Sequence, residues 1–278
     1  MEYRPVKIDI NSEIGKLDSV LLHHPGAEVE NMTPRNAQRA LYSDILNLSI
    51  AQDEYRQLEG VLSKVANVYK IKNLLELVLE NENERQSLVG KICVMERVTD
   101  YFDDFRQMSS KELAKALIEG LPSRRDTLTA FLNEEYYALF PLYNFYFTRD
   151  ASVTIGNSAL VCRMANQVRM RESLIMEAIY KGSGVFDCGI INAHSYQPGN
   201  KDIYMEGGDI LIAREDILLI GNGVRTSTQG IDMIVSSLCQ NSPTGVRHVI
   251  VQQLPRSPES FIHLDMVFTL LDKDKCMV

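Results

Sequence analysis

Short apolar runs and helically spaced apolar positions alternate along this chain. Residues 17–26 (LDSVLLHHPG) form an apolar run closed by Pro25-Gly26, which predicts a strand and a turn. Thr33 then offers an N-cap, with Pro34 at the first helical position. Apolar residues recur at helical spacing through Leu41, Ile45, Leu48, Tyr55, Leu58 and Leu62, and residues 66–71 (ANVYKI) return as a strand. Residues 1–75 therefore read as one strand–helix–strand unit.

From 76 to 137 the pattern changes: Leu, Glu, Lys and Arg dominate and strand signals are few. The run LLELVLENENERQSLVGKICVMERV, and LAKALIEGL behind Ser109-Ser110-Lys111-Glu112, predict consecutive amphipathic helices. Ser109 is the N-cap candidate, because Glu112 three residues on can close a capping box. This stretch reads as an all-helical insertion in an otherwise α/β fold.

Residues 138–278 repeat one order: strand, turn, strand, helix, strand. The first repeat opens at Asp150, turns at Gly156-Asn157, and has its helix from about Arg169 to Lys181 before GVFDCGII. The second opens at Asp209, turns at Arg214-Glu215-Asp216, and has its helix from about Thr226 to Gln240 before RHVIVQQL. The third opens at Asp265 and turns at Asp272-Lys273-Asp274, where the chain stops. The opening acids are 59 and 56 residues apart. Repeated units share buried faces and need a terminal cap, so the chain reads as cut short at its C-terminus, with an open edge. Poor solubility, or a homo-oligomer covering that edge, is expected.

Composition narrows the function. The 278 residues are 45% hydrophobic and 24% charged, ordinary globular usage. The net charge of −8 disfavours nucleic acid and anionic membrane as partners. No apolar run approaches the roughly 20 residues of a membrane span, and the N-terminus has no apolar signal region, so a cytoplasmic location is expected. The five cysteines (Cys93, Cys162, Cys188, Cys239 and Cys276) are scattered and read as free thiols, not as a disulfide scaffold or zinc site. Cys276, on an apolar second strand, is expected to be buried and structural, as are Cys162 and Cys188, with Cys93 in a helical core. No cluster has metal-ligand spacing and no glycine pattern implies a nucleotide cofactor. His23-His24 read as strand-end residues.

Three clusters stand at equivalent repeat positions: Arg149-Asp150, Glu206 to Asp209, and His263-Leu264-Asp265. If the first strands surround a common axis, Asp150, Glu206, His263 and Asp265 gather in one pocket. Carboxylates around a histidine suit a planar guanidinium, whose N–H fork each carboxylate grips along one edge. The histidine titrates near neutrality and can move protons. His263 and Asp265 are two apart, so on a strand they share a face. Asp209, behind two glycines, reads as a turn cap. Arg169 and Arg171 read as the solvated start of a helix, although a cation at a helix N-terminus opposes the dipole; that leaves room for another role for Arg169, and for Arg225 before the next helix.

FTRD, MEGGD and HLDMVF, in this order behind a helical insertion, with RMRESLIMEAIYK and GNGVRTSTQGI between them, resemble arginine deiminase of the guanidino-group-modifying superfamily. The resemblance covers essentially the whole chain. It implies a pseudo-fivefold α/β propeller of strand-strand-helix-strand units, here incomplete, and metal-free hydrolysis of L-arginine to L-citrulline and ammonia. It implies that Asp150 and Asp265 bind the guanidinium nitrogens and that His263 is the acid and base. Glu206 would hold the guanidinium or orient His263. Asn144, Arg169 and Arg225 would grip the substrate carboxylate, and a main-chain carbonyl near Phe147 or Leu41 would contact substrate. The family's nucleophile is a cysteine in a glycine-rich segment near the C-terminus, and no such segment stands in this sequence. Two further readings follow: a non-catalytic arginine-binding or partner-binding remnant, or a relative acting on another guanidine.

Overall fold

Short strands and amphipathic helices alternate through the computed structural model, an α/β fold, which describes residues 5–32, 41–42, 45–133, 135–195, 201–240 and 245–278. The chain forms two units, Met1–Lys16 with Arg149–Val278, and Leu17–Thr148. Strand β1 (Val6–Lys7) opens the chain and belongs to the first of these.

In the unit Leu17–Thr148, β2 (Ser19–Leu22) pairs in parallel with β3 (Asn67–Lys70), and helix α1 (Leu48–Leu62) connects them. The helix is shorter than its apolar spacing predicts. Leu41 takes a left-handed conformation, φ 67°, and the helix starts only after Asn47, whose side chain accepts the N–H of Ile50. That cap satisfies a donor otherwise left open and so sets the boundary. Thr33 and Pro34 lie outside the described residues. Four helices follow: α2 (Ile71–Glu80), α3 (Glu82–Glu96), α4 (Phe102–Gln107) and α5 (Ser110–Glu119). Asn81 separates the first two by accepting from the N–H groups of Asn83 and Glu84. The Ser109–Glu112 capping box is present in both directions. Leu74, Leu75, Val78, Ile92, Phe105, Leu113 and Leu117 fill the core between these helices, and Cys93 is buried with them. Arg85 is buried on α3, and its guanidinium donates to the carbonyls of Phe105, Arg106 and Met108, a favourable place for a cation at the end of α4. Helix α6 (Leu128–Leu132) lies between the short antiparallel strands β4 (Leu121–Pro122) and β5 (Tyr137–Leu139).

The other unit contains the repeats. Strands β6 (Ser152–Ile155) and β7 (Ser158–Val161) form an antiparallel hairpin around Gly156, whose φ of 55° suits a glycine. Helix α7 (Met170–Gly182) and β8 (Phe186–Asp187) lead to β9 (Gly189–Asn192), parallel to β7, while β8 pairs with β1. The order then recurs: β10 (Ile210–Arg214) with β11 (Ile217–Asn222) antiparallel, α8 (Thr228–Gln240), and β12 (His248–Gln253) parallel to β11. A last hairpin joins β13 (Thr269–Asp272) and β14 (Lys275–Met277).

Several expectations fail here, among them a buried Cys188, which is only half-buried beside the start of β9. Leu264–Met266 is a turn of 3-10 helix and β13 begins only at Thr269, so the strand argument for His263 and Asp265 does not hold. Cys276 is exposed, because the β13–β14 hairpin leaves β14 open to solvent. Arg169 and Arg171 are buried, at 4% and 1% exposure, and do not decorate a solvated helix start. The reason for Arg169 is ionic and lies at the mouths of the first strands.

Candidate active site

Each repeat delivers one side chain to a common point. Asp150 sits in the turn that feeds β6, Glu206 is extended just before the turn Gly207–Asp209 that feeds β10, and His263 is extended just before Leu264–Met266. Two glycines let these segments meet. A Cβ on Gly207 would collide with the carbonyl oxygen of Arg149, and one on Gly208 would stand 2.8 Å from the His263 ring and 3.1 Å from Asp150 Oδ1. Arg149 bridges the same segments. Its guanidinium donates to the carbonyls of Gly207 (3.2 Å) and Ile210 (2.6 Å) and pairs with Glu13 at 2.8 Å.

His263 Nε2 lies 2.9 Å from Glu206 Oε2, and His263 Nδ1 lies 3.7 Å from Asp150 Oδ1. Arg169 Nη1 donates to Asp150 Oδ2 at 2.7 Å and stands 3.7 Å from Glu206 Oε2. The other edge of the Arg169 guanidinium grips Glu172, with Nη2–Oε2 at 2.8 Å and Nε–Oε1 at 3.1 Å. Arg225 Nη1 lies 3.4 Å from Glu206 Oε1, which also accepts the N–H of Ala165 at 3.1 Å. Asp150, Arg169, Glu172, Glu206 and His263 are all buried.

Burial shapes the charges here, and the partners decide the outcome. Burial alone would raise the Glu206 carboxyl, but the His263 hydrogen bond and the two guanidiniums hold it below its usual value. Burial opposes the His263 imidazolium, but Glu206 and Asp150 raise its pKa above the usual histidine value. Desolvation pushes Asp209 up to about 6, against the Thr226 hydroxyl, His263 and the Leu264 N–H. Desolvation also raises Glu172, with Arg169 opposing. Cys162 is fully buried and its thiol is raised well above the usual range, first by burial and then by Glu206 and Asp150.

One atom each from Asp150, Glu206 and His263 lies within 4.8 Å of the others, a spacing a metal ion could use. The cations of Arg169 and Arg225 already reach the oxygens of Asp150 and Glu206, so the donor set works as a guanidinium cradle. It can hold a planar cation by carboxylate edges and can pass protons through the imidazole.

Asp150, Glu206, His263, Arg169 and Arg225, all singled out in the sequence, come together here. Asp265 is solvent-exposed beside them and acts on His263 through its charge. Asn144 (buried), Phe147 (exposed) and Leu41 belong to the other unit. Glu172 and Thr226 were not singled out. The signal for Glu172 was its i+3 spacing from Arg169 on a helix start, which places both on one face.

The family model for arginine deiminase matches residues 38–278. Arginine deiminase 1 of Staphylococcus epidermidis is 31% identical over 285 residues, covering 98% of this chain and 68% of its own length. An arginine deiminase of Listeria monocytogenes is 32% identical over 279 residues, covering 95% of this chain and 67% of its own length. Among solved structures, the N-terminal domain of a cyanobacterial arginine dihydrolase, crystallised with substrate, superposes with a TM-score of 0.53 at 16% identity over 93% of this chain and 65% of its own. A second structure of that domain, covalently bound to a reaction intermediate, gives 0.51 at 16% identity over 90% and 62%. Those two likenesses speak to the fold. The family model, and sequence identity that runs nearly the length of the chain, leave one assignment: this chain belongs to the arginine deiminase family.

Proposed function

We propose that the cluster is the guanidinium-binding and proton-transferring part of a site that hydrolyses L-arginine to L-citrulline and ammonia. The observation that carries this reading is the buried His263–Glu206 hydrogen bond beside Asp150, an acid–base pair next to a carboxylate already holding a guanidinium. In this reading the substrate guanidinium takes its place between Asp150 and Asp265, with Glu206 holding His263 in orientation. A cysteine thiolate attacks the guanidinium carbon, and a C–S bond forms. The C–N bond to the terminal nitrogen then breaks as His263 delivers its proton, and ammonia leaves. Water adds at the same carbon, His263 takes its proton, and the thiolate departs to leave citrulline. The raised pKa of His263 suits the first, donating role near neutrality. Arg225 is read as a grip on the substrate carboxylate, and Arg169 as a second one once it turns from Asp150.

The thiolate in this reading comes from outside these 278 residues. What supports that is the state of the cysteines. Cys162 is buried and Cys188 half-buried, and burial raises both thiols, so both are protonated, poor nucleophiles; Cys93 lies in the core of the other unit; Cys239 and Cys276 stand exposed on α8 and β14. The repeats are read, with the family, as part of a pseudo-fivefold ring.

Calorimetric titration of the chain with L-arginine, alongside a citrulline assay, tests both parts. Binding is expected, with loss of at least tenfold in affinity for Asp150→Ala, and no multiple turnover. No arginine heat from folded protein would sink the site; repeated citrulline release would sink the external nucleophile.

A further inference from the structure

Asp209 is a buried carboxylate beside the cluster that the proposed chemistry does not use. It is fully buried, on the turn that feeds β10. Its Oδ1 accepts the N–H of Leu264 at 2.9 Å, 55 residues away in sequence. Its Oδ2 accepts the hydroxyl of Thr226 at 2.6 Å. The Thr226 oxygen in turn accepts the N–H of Glu206 at 3.3 Å. One end of this chain of bonds therefore holds the residue after His263, and the other holds the backbone of Glu206. Space is set aside for it, because a Cβ on Gly221 of β11 would strike Asp209 Oδ1.

We propose that Asp209, with Thr226, is a positioning residue that fixes the two backbones carrying the His263–Glu206 hydrogen bond. The geometry gives a reason for a carboxylate in particular. An acceptor with two oxygens can bind Leu264 N–H and Thr226 O–H at once, and bonds to a charged acceptor are about twice as strong as neutral ones. An asparagine keeps one of these acceptors and turns the other into a donor. Thr226 can still answer that donor by accepting, so Asn preserves part of the arrangement. An alanine leaves Leu264 N–H and Thr226 buried without this partner.

This deepens the reading above, since it assumes that His263 and Glu206 act as a pair, but its test needs neither arginine nor turnover. In the 278-residue chain, two signals are followed by NMR: the imidazole N–H resonance of His263 and hydrogen exchange at the Leu264 amide. In Asp209→Ala the imidazole resonance is expected to be lost and the Leu264 amide to exchange at least tenfold faster. Asp209→Asn is expected to restore both in part. Thr226→Val, nearly equal in volume, is expected to shift the imidazole resonance while keeping the fold, and it decides the matter if Asp209→Ala does not fold. Unchanged His263 and Leu264 signals in the folded variants would overturn the proposal. A chain that shows the expected pattern yet fails to bind arginine would overturn the function and leave this positioning role standing.

Discussion

Gly207 and Gly208 stand where two strand mouths approach too closely for any side chain. Gly60, in α1, has open space around the position a Cβ would take. Gly207→Ala is therefore expected to cost about 3 kcal/mol through overpacking against the Arg149 carbonyl. Gly60→Ala is expected to stabilise by about 0.5–1 kcal/mol, as alanine does in an exposed helix. Urea midpoints measured at constant slope separate the two outcomes. An unchanged midpoint in Gly207→Ala would mean the mouths do not meet as described. At this scale the sequence was legible where the repeat order pointed: Asp150, Glu206 and His263 were visible as acids and a histidine at matching places. Glu172 and Thr226 were not. Thr226 depends on partners 17 and 20 residues away, and Glu172 on an Arg169 that is itself turned toward Asp150, 19 residues off, which no local pattern reports. Cys276 misled because an apolar strand reads the same whether or not anything covers it.

Among the elements, hairpins were the most legible, since Gly156-Asn157 and the Arg214 and Asp272 turns declare themselves in residue type. Helix ends were less so. Apolar spacing continued through Leu41 and Ile45, yet the Asn47 cap decided where α1 begins. Strand β12 has a feature that spacing alone does not show. Among the described residues it pairs only with β11, and successive residues Ile250 and Val251 are 53% and 49% exposed. Neighbouring residues of a strand point to opposite faces, so both faces and one edge of β12 are open. Such an edge invites pairing with another chain, and an added charge blunts it. Val251→Lys is expected to shift the protein toward monomer, read by size-exclusion chromatography with light scattering. A wild-type chain that is already monomeric at high concentration would remove the expected homo-oligomer.

On the scale of the whole molecule, the resemblance and the matched family model agree over most of the chain, although sequence identity to the curated relatives is about 31%. Such agreement is possible because the repeat order and the three mouth motifs occupy few positions and leave the rest free to vary. The same distribution has a consequence in time. The β6–β7 and β10–β11 hairpins close across turns of two residues. The His263–Glu206 bond closes a loop of 57 residues, and Arg149–Glu13 one of 136. Loop-closure entropy places such contacts late on a folding route. The cluster is then expected to be still unformed when the rate-limiting barrier is crossed. His263→Ala is expected to speed unfolding several-fold and to leave the refolding rate almost unchanged, as stopped-flow denaturant jumps would read. A refolding rate that falls with the variant would place the cluster in the folding nucleus. With refolding unchanged, the hairpins set how fast the protein forms, and the groups proposed for chemistry set how long it stays folded.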